Sequence, residues 1–169
     1  MTAPRGRDPL ADGDGPGGEV PHGAKCPAPS RPAAGGDGPA PPPVVILAED
    51  DDELRRLITT KLARRGCVVL EARNGMELAQ LVIERGVEPP PGARTAAEVV
   101  ITDIRMPGVT GLEIAGLLRQ LDWVLPLILI TGFGDRATHA EAARLGVRIF
   151  DKPVDLDVLV DAACACLGL

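Results

Sequence analysis

The sequence predicts an α/β fold in which one parallel sheet lies between two layers of helices. Three observations support this prediction. Five short apolar runs alternate along residues 44–169 with five segments whose apolar residues recur at helical spacing. The runs are continuously apolar rather than alternating, which is typical of strands that helices cover on both faces. Right-handed crossovers between such strands make them parallel neighbours in one sheet.

The five apolar runs are the predicted strands. Each is short and rich in valine, isoleucine or leucine, the composition expected of a buried strand. They are residues 44–48, 68–70, 99–102, 127–130 and 148–150.

The first two predicted helices follow the first two strands. An acidic run at residues 49–53 leads into the first helix, which Gly66 ends. Its predicted inward positions are Leu54, Leu57, Ile58 and Leu62, and its predicted outward positions are Arg55, Arg56, Lys61 and Arg64. Asn74 is the predicted N-cap of the second helix, which Gly86 closes. Its predicted inward positions are Leu78, Leu81 and Val82.

Three more helices are predicted after residue 98. A proline-rich stretch at residues 87–97 first predicts a long surface loop. The third helix has an apolar stripe of Ile114, Leu117, Leu118 and Leu121. The fourth, residues 136–145, is weakly apolar. The fifth is predicted to face Leu156, Leu159, Val160, Ala163 and Leu167 inward.

Residues 1–43 differ in composition from the rest of the chain. They include 11 prolines and 9 glycines and contain no long apolar run. Such a segment buries too little apolar surface to offset its ordering entropy, so we predict a disordered Pro/Gly-rich tail. Residues 44–169 then form one domain of ordinary size. Because no stretch has the length of a membrane span or the pattern of a signal peptide, we expect a soluble, cytoplasmic protein.

Charge and motif content weigh against two classes of function. The formal net charge is −6, and most of it lies in residues 44–169, which argues against direct nucleic-acid binding. Those residues also lack the glycine-rich phosphate loops of nucleotide-binding proteins. The cysteines, Cys26, Cys67, Cys164 and Cys166, have no zinc-like spacing, so we expect buried apolar side chains or free thiols.

Polar residues follow four of the five predicted strands. They are Glu49 and Asp50 after the first strand, Asp103 after the third, Thr131 after the fourth, and Asp151 and Lys152 after the fifth. Any one of them alone is common in α/β proteins, and a single aspartate often caps the next helix. Because the carboxyl ends of parallel strands meet at one rim, where ligands bind in such sheets, we expect these side chains to lie together.

The predicted cluster suits one kind of chemistry. Three crowded carboxylates repel one another, so either one becomes protonated or a cation binds. Carboxylate oxygens are suitable ligands for Mg²⁺, which often shares its coordination with phosphate oxygens. A carboxylate can also attack phosphorus to form an aspartyl-phosphate, which an ammonium and a hydroxyl group would stabilise.

Four motifs in residues 44–169 resemble the receiver domain of two-component response regulators. They are Glu49-Asp50, residues 103–111 (DIRMPGVTG), Ile130-Thr131-Gly132 and Lys152-Pro153. The resemblance implies a flavodoxin-like (βα)5 fold with strand order 2-1-3-4-5, helices on both faces, and the first and third strands at the switch point.

The resemblance also implies a role for each site residue. Asp103 would be the phosphoacceptor. Mg²⁺ would be bound by Asp50, Asp103 and the backbone carbonyl of Arg105, with Glu49 acting through water. Thr131 would hydrogen-bond the phosphoryl group, and Lys152, preceding a cis peptide bond to Pro153, would pair with it. The partners would be a histidine kinase or phosphotransfer protein and an unidentified downstream protein, and the domain itself would not be an enzyme.

The sequence departs from the family pattern at three places. An aromatic residue often lies three positions before the lysine, but Ile149 stands there, and its neighbour Phe150 is predicted to face the other side of the sheet. The loop at residues 87–97 is longer than usual. No output segment follows the fifth helix, so we expect the output to be another protein.

Two other functions compete with a phosphoacceptor switch. A degenerate receiver would be a binding module that takes no phosphate, which the missing aromatic residue and missing output segment favour. A hydrolase with an aspartyl-phosphate intermediate would need a second acid and a substrate pocket, and the sequence indicates neither.

Overall fold

A computed structural model describes residues 41–86, 97–121 and 125–169 of the chain, and within these ranges five strands and five helices alternate. The strands are β1 (Val44–Ala48), β2 (Val68–Ala72), β3 (Val99–Asp103), β4 (Leu127–Thr131) and β5 (Arg148–Asp151). The helices are α1 (Asp52–Arg64), α2 (Gly75–Gly86), α3 (Gly111–Gln120), α4 (Arg136–Arg144) and α5 (Leu156–Leu167). All ten predicted elements are present, and three strands extend to the polar residue that follows the apolar run.

The strands form one parallel sheet in the order β2-β1-β3-β4-β5, which confirms the predicted fold class. The register aligns the strands at their carboxyl ends. Ala48 of β1 lies opposite Thr102 of β3, and Thr131 of β4 lies opposite Asp151 of β5. The loops that follow β1, β3 and β4 therefore start side by side at one rim of the sheet.

Two apolar clusters cover the two faces of the sheet. On one face, β1 contributes Ile46 and Ala48, which pack with buried residues of α2, α3 and α4. On the other face, Val45 and Leu47 pack with buried residues of α1 and α5. Because alternate residues of a strand point to opposite faces, a strand covered on both sides must be apolar throughout. The continuous apolar runs of the sequence follow from this three-layer arrangement.

The prediction for α1 was wrong at two positions. Arg55, predicted to face outward, is 2% exposed, whereas Leu57, predicted to face inward, is 48% exposed. Arg55, Ile58 and Leu62 are spaced three and four residues apart and therefore share the face that meets the sheet. Leu57 lies about 100° around the helix from Ile58, which turns its side chain toward solvent.

The predicted stripe of α3 is also narrower than expected. Ile114 and Leu118 are buried, but Leu117 is 51% exposed and Leu121 is 61% exposed. Each pair is spaced by four residues, so the two pairs form neighbouring rows on the helix, and only one row contacts the sheet. In α5, by contrast, Leu159, Val160, Ala163 and Leu167 are all buried, as predicted.

Several predicted segments lie wholly or partly outside the described residues. The predicted disordered tail is among them, except for residues 41–43, and so is the predicted loop, except for Ala97. Pro43 is buried, and its carbonyl accepts a hydrogen bond from the N–H of Val68 at 2.8 Å. Pro43 therefore belongs to the folded domain, although it lies one residue before the predicted boundary at residue 44.

Two further expectations concern the state of the cysteines and the absence of a membrane-spanning helix. Cys67 and Cys164 are buried free thiols, as expected, whereas Cys166 is buried and disulfide-bonded, which the expectation did not include. Burial raises the pKa of Cys67 to about 11. Cys26 lies outside the described residues. None of the helices in the described ranges combines the length and the apolar character that a membrane crossing requires.

Candidate functional site

The acidic residues predicted to meet at the sheet rim do lie together. Carboxylate oxygens of Glu49, Asp50 and Asp103 are all within 4.8 Å of one another. Glu49 and Asp103 are buried, while Asp50 is exposed. β1 and β3 are neighbours in the sheet, so the loop after β1 places Glu49 and Asp50 beside the end of β3. The result is a carboxylate cluster that is open to solvent on the side of Asp50.

Glu49 has an unusual environment within this cluster. Its side chain is fully buried, and its Oε1 accepts hydrogen bonds from Lys152 Nζ at 3.0 Å and from the N–H of Asp51 at 3.3 Å. Its Oε2 is buried without a hydrogen-bond partner among the described residues. Burial raises the pKa of Glu49, and the nearby Lys152 ammonium offsets only part of that effect. A buried carboxylate with one unpaired oxygen is suited to a water molecule or a hydrated cation.

Lys152 supplies positive charge to the cluster. Its Nζ forms ion pairs with Glu49 and Asp103, and the peptide bond to Pro153 is cis, as the family resemblance implied. Burial acts to lower the pKa of Lys152, but hydrogen bonds to Asp103 and Glu49 outweigh it, so the pKa is raised. The lysine therefore stays protonated at neutral pH and partly neutralises the carboxylates.

Asp103 accepts hydrogen bonds on both of its oxygens. The N–H of Arg105 donates to Oδ1 at 2.8 Å, and Lys152 donates to Oδ2. The guanidinium of Arg105 lies 4.7 Å from the centre of the exposed Phe133 ring, a cation–π contact beside the site. Asp103 is thus oriented by one backbone and one side-chain donor.

Thr131 is the buried last residue of β4, the strand next to β3. Its hydroxyl oxygen accepts a hydrogen bond from the N–H of Phe133 at 3.1 Å, which leaves the hydroxyl proton able to donate elsewhere. Its carbonyl accepts from the N–H of Lys152 at 2.7 Å. The backbone thereby ties the end of β4 to the start of the segment that bears the lysine.

The loop after Asp103 turns back sharply toward α3. Gly108 has a φ of +92°, a conformation that glycine adopts without strain. A Cβ at Gly111 would lie 2.7 Å from the carbonyl oxygen of Asp103, so α3 can start this close to β3 only with glycine there. Thr110 and Glu113 then form a capping box at the first turn of α3.

Asp151 does not join the carboxylate cluster, although it was grouped with the polar strand ends. Its Oδ1 lies 3.1 Å from Nε2 of His139 in α4. Successive residues of a strand point in opposite directions, so Asp151 faces α4 while Lys152 reaches the rim. The same alternation separates Ile149, which packs with the α2–α4 layer, from Phe150, which packs with the α1–α5 layer, as predicted.

One residue next to the site, Arg55, is not indicated by the sequence pattern. Arg55 donates from Nη1 to the carbonyl of Glu49 at 2.7 Å and from Nε to Glu71 at 3.1 Å. Apolar periodicity assigns arginine outward by default, and nothing in that pattern marks a cation that is buried among acceptors. The available signal in the sequence is its position, two residues after a run of carboxylates.

The donor set fits a Mg²⁺ ion. Three carboxylates close together, one of them exposed and one bearing an unpaired oxygen, are hard oxygen ligands of the kind that Mg²⁺ prefers. The side of the cluster formed by Asp50 is open, as required for an ion that keeps several water molecules. The carbonyl of Arg105 belongs to the loop after β3, two residues beyond Asp103.

Comparisons with known proteins agree with this geometry. The family model for the response regulator receiver domain matches residues 45–163. The sporulation initiation phosphotransferase F of Bacillus subtilis is 26% identical over 117 residues, which cover 69% of this chain and 86% of that protein. A receiver protein structure from Pseudomonas putida is 27% identical, with a TM-score of 0.61, and the match covers 73% of this chain and 97% of that one.

A longer relative matches only in part. The C4-dicarboxylate transport transcriptional regulatory protein DctD of Pseudomonas aeruginosa is 46% identical over 65 residues, which are 38% of this chain and 14% of that protein. The chain thus matches a small fraction of that relative, which therefore indicates the type of domain rather than the function of the whole protein.

Proposed function

We propose a function from one premise: the chain belongs to the response regulator receiver domain family, whose members are phosphoacceptors in two-component signalling. The proposal is that Asp103 is the phosphoacceptor of a protein switch that depends on Mg²⁺. The observation that supports it most is the arrangement around Asp103, where a buried carboxylate is oriented by the Arg105 N–H and by Lys152 within a carboxylate cluster.

In the proposed reaction, a carboxylate oxygen of Asp103 attacks the phosphorus of a phosphohistidine. An O–P bond forms, the N–P bond breaks, and the imidazole nitrogen keeps the electron pair. Asp50, Asp103 and the Arg105 carbonyl would bind Mg²⁺, with Glu49 acting through water. The ion would neutralise charge on the transferred phosphoryl oxygens.

Two side chains of this chain would stabilise the product. The hydroxyl proton of Thr131 is available to donate a hydrogen bond to a phosphoryl oxygen. Lys152 already pairs with Asp103 and would follow the negative charge from the carboxylate onto the phosphoryl group. Movement of the lysine would alter the end of β5 and its neighbour α4, the region where partner contacts would change.

The proposed partners follow from this chemistry. A histidine kinase or a phosphotransfer protein would donate the phosphoryl group, and a downstream protein would recognise the phosphorylated form. The domain would assist its own phosphorylation and also its own dephosphorylation, which would be slow. It would not be an enzyme. Absence of direct nucleic-acid or membrane binding and a cytoplasmic location stay predictions from the sequence.

A degenerate receiver that takes no phosphate is the alternative. Ile149 supports it, because this residue is packed in the core where an aromatic switch residue often stands. The intact cluster of Glu49, Asp50, Asp103 and Lys152 supports the phosphoacceptor, because a module that only binds a partner has no need for a buried, unpaired carboxylate oxygen.

Labelling with a small phosphodonor separates the two functions. The parent chain is expected to gain one base-labile phosphoryl group from acetyl phosphate when Mg²⁺ is present and none when a chelator removes it. Asp50→Ala is expected to bind Mg²⁺ weakly and to label poorly. Absence of labelling in the parent chain, measured by intact mass, would contradict the proposal and favour the binding module.

A further inference from the structure

Arg55 is a buried cation that contacts the loop between β1 and α1. Its side chain is 3% exposed, and it interacts with three acceptors: the carbonyl of Glu49, Glu71 of β2 and Asp52. Glu71 and Asp52 remain partly exposed, so water can solvate both carboxylates if the arginine is removed. The Glu49 carbonyl is the acceptor for which the structure shows no substitute donor among the described residues.

This contact fixes the peptide that leads into the carboxylate cluster. The N–H of Glu49 donates to the carbonyl of Ala72 at 3.1 Å, and its C=O accepts from Arg55 Nη1 at 2.7 Å. The C=O belongs to the planar peptide unit that joins Glu49 to Asp50. Its direction therefore sets where the Cα of Asp50 lies, and with it the position of the one exposed carboxylate of the cluster.

The dipole of α1 does not explain an arginine at this place. The N-terminus of a helix carries partial positive charge, so a cation in the first turns of α1 is unfavourable there. Asp51 already caps α1 by accepting from the N–H groups of Glu53 and Leu54. Burying a guanidinium beside a capped helix end requires compensating contacts: Asp52 and Glu71 balance its charge, and the carbonyl of Glu49 is its third acceptor.

Building on the proposed function, we infer that Arg55 is a positioning residue for the Mg²⁺ site and acts through the Glu49–Asp50 peptide. Its planar guanidinium donates in three directions from one rigid group. A lysine has the same charge but cannot reach the Glu49 carbonyl, Glu71 and Asp52 with the same geometry. Partners that orient metal ligands from outside the coordination sphere typically change metal affinity 10- to 100-fold.

Calorimetric Mg²⁺ titration of the full chain tests this inference. We expect Arg55→Lys to bind Mg²⁺ about 10-fold or more weakly than the parent. The control is Leu62→Ala, which removes a fully buried side chain about two turns further along the same helix. Leu62→Ala is expected to lower the melting temperature at least as much as Arg55→Lys does and to leave Mg²⁺ affinity unchanged. If Arg55 only stabilised the fold, the two variants would not differ in this way.

A second readout does not depend on the metal. In the Mg²⁺-free protein, the backbone amide NMR signals of Asp50 and Asp51 are expected to shift in Arg55→Lys and to stay in place in Leu62→Ala. If Arg55→Lys fails to fold, Glu71→Gln, which weakens one anchor of the guanidinium, is expected to show smaller changes in both readouts.

The outcomes distinguish this inference from the proposed function. Lack of Mg²⁺ binding by the parent chain would overturn the proposed function and this inference with it. Normal binding by the parent together with parental affinity and unshifted amides in the Arg55 or Glu71 variant would overturn the inference alone.

Discussion

The carboxylate of Glu49 is fully buried, and only one of its two oxygens accepts hydrogen bonds from described residues. Neighbouring charges act on it in opposite senses: Lys152 favours the ionised form, whereas Asp103 disfavours it. Desolvation is the largest effect, so the pKa is raised above its usual 4.5. The folded protein therefore disfavours the ionised form of the Glu49 carboxylate.

A pH dependence of stability follows from Glu49. With its pKa raised, the folded state binds this proton more tightly than the unfolded state does. The resulting stabilisation is complete below the unfolded pKa, near 4.5, and is lost as the pH rises through the folded pKa. In the presence of a chelator, Glu49→Gln is therefore expected to gain stability relative to the parent as the pH rises from about 4.5.

Urea unfolding across that pH range measures this difference. Exposed Glu84→Gln is a matched control, since the same change on the surface of α2 is expected to leave the difference from the parent constant. Parallel pH profiles for Glu49→Gln and the parent would show that Glu49 ionises as an ordinary carboxylate.

The positions of the site residues could be predicted because they follow from chain direction and from the strand order that the family resemblance implies. Glu49, Asp103 and Thr131 each end an apolar run, and parallel strands bring such ends together. The burial of Arg55 could not be predicted this way, because Arg55 lies on α1 and its partner Glu71 lies 16 residues further along the chain, on β2. Apolar periodicity predicts which face of a helix or strand is buried, but it does not predict polar contacts between elements.

Two glycines of α3, Gly111 and Gly116, have opposite surroundings. A Cβ at Gly111 would lie 2.7 Å from the Asp103 carbonyl oxygen and 2.9 Å from a methyl group of Thr102. A Cβ at Gly116 would have no atom within 4 Å outside its own helix. The same substitution should therefore have opposite effects at the two positions.

Gly116→Ala is expected to raise the free energy of unfolding by roughly 1 kcal/mol, the difference in helix propensity between the two residues. Gly111→Ala is expected to lower it, because the start of α3 or the end of β3 must move. Denaturant unfolding of the two variants measures both signs. Stabilisation by Gly111→Ala would show that the contact between α3 and β3 is looser than described.

The helix stripes show where sequence patterns stop being informative. Of the four residues predicted to form one apolar stripe, Ile114 and Leu118 are buried, whereas Leu117 and Leu121 are exposed. Which of two adjacent rows contacts the sheet depends on the rotation of the helix about its axis. The close approach of Gly111 to the end of β3 is a tertiary contact that constrains this rotation, whereas the capping box at Thr110 is local and marks only where the helix starts.

For the molecule as a whole, the N-terminal boundary of the domain can be tested. Residues 1–40 are rich in proline and glycine, whereas Pro43 is buried and accepts a hydrogen bond from Val68. Deletion of residues 1–40 is expected to leave the melting temperature unchanged. Deletion of residues 1–43 is expected to lower stability by about 1 kcal/mol, the typical contribution of one hydrogen bond.

Thermal unfolding of the two truncated chains and the full chain provides the comparison. A large fall in melting temperature on removal of residues 1–40 would mean that this segment contributes to the folded domain, contrary to the prediction from its composition.

A single pair of variants tests directly whether Asp103 receives the phosphoryl group. Asp103→Asn keeps the shape of the side chain but replaces a nucleophilic carboxylate by a weakly nucleophilic amide. Asp161→Asn makes the same change at an exposed carboxylate of α5 that pairs with Arg65. Intact mass after incubation with acetyl phosphate and Mg²⁺ should show phosphorylation of the parent and Asp161→Asn and none of Asp103→Asn. Undiminished phosphorylation of Asp103→Asn would show that Asp103 is not the phosphoacceptor.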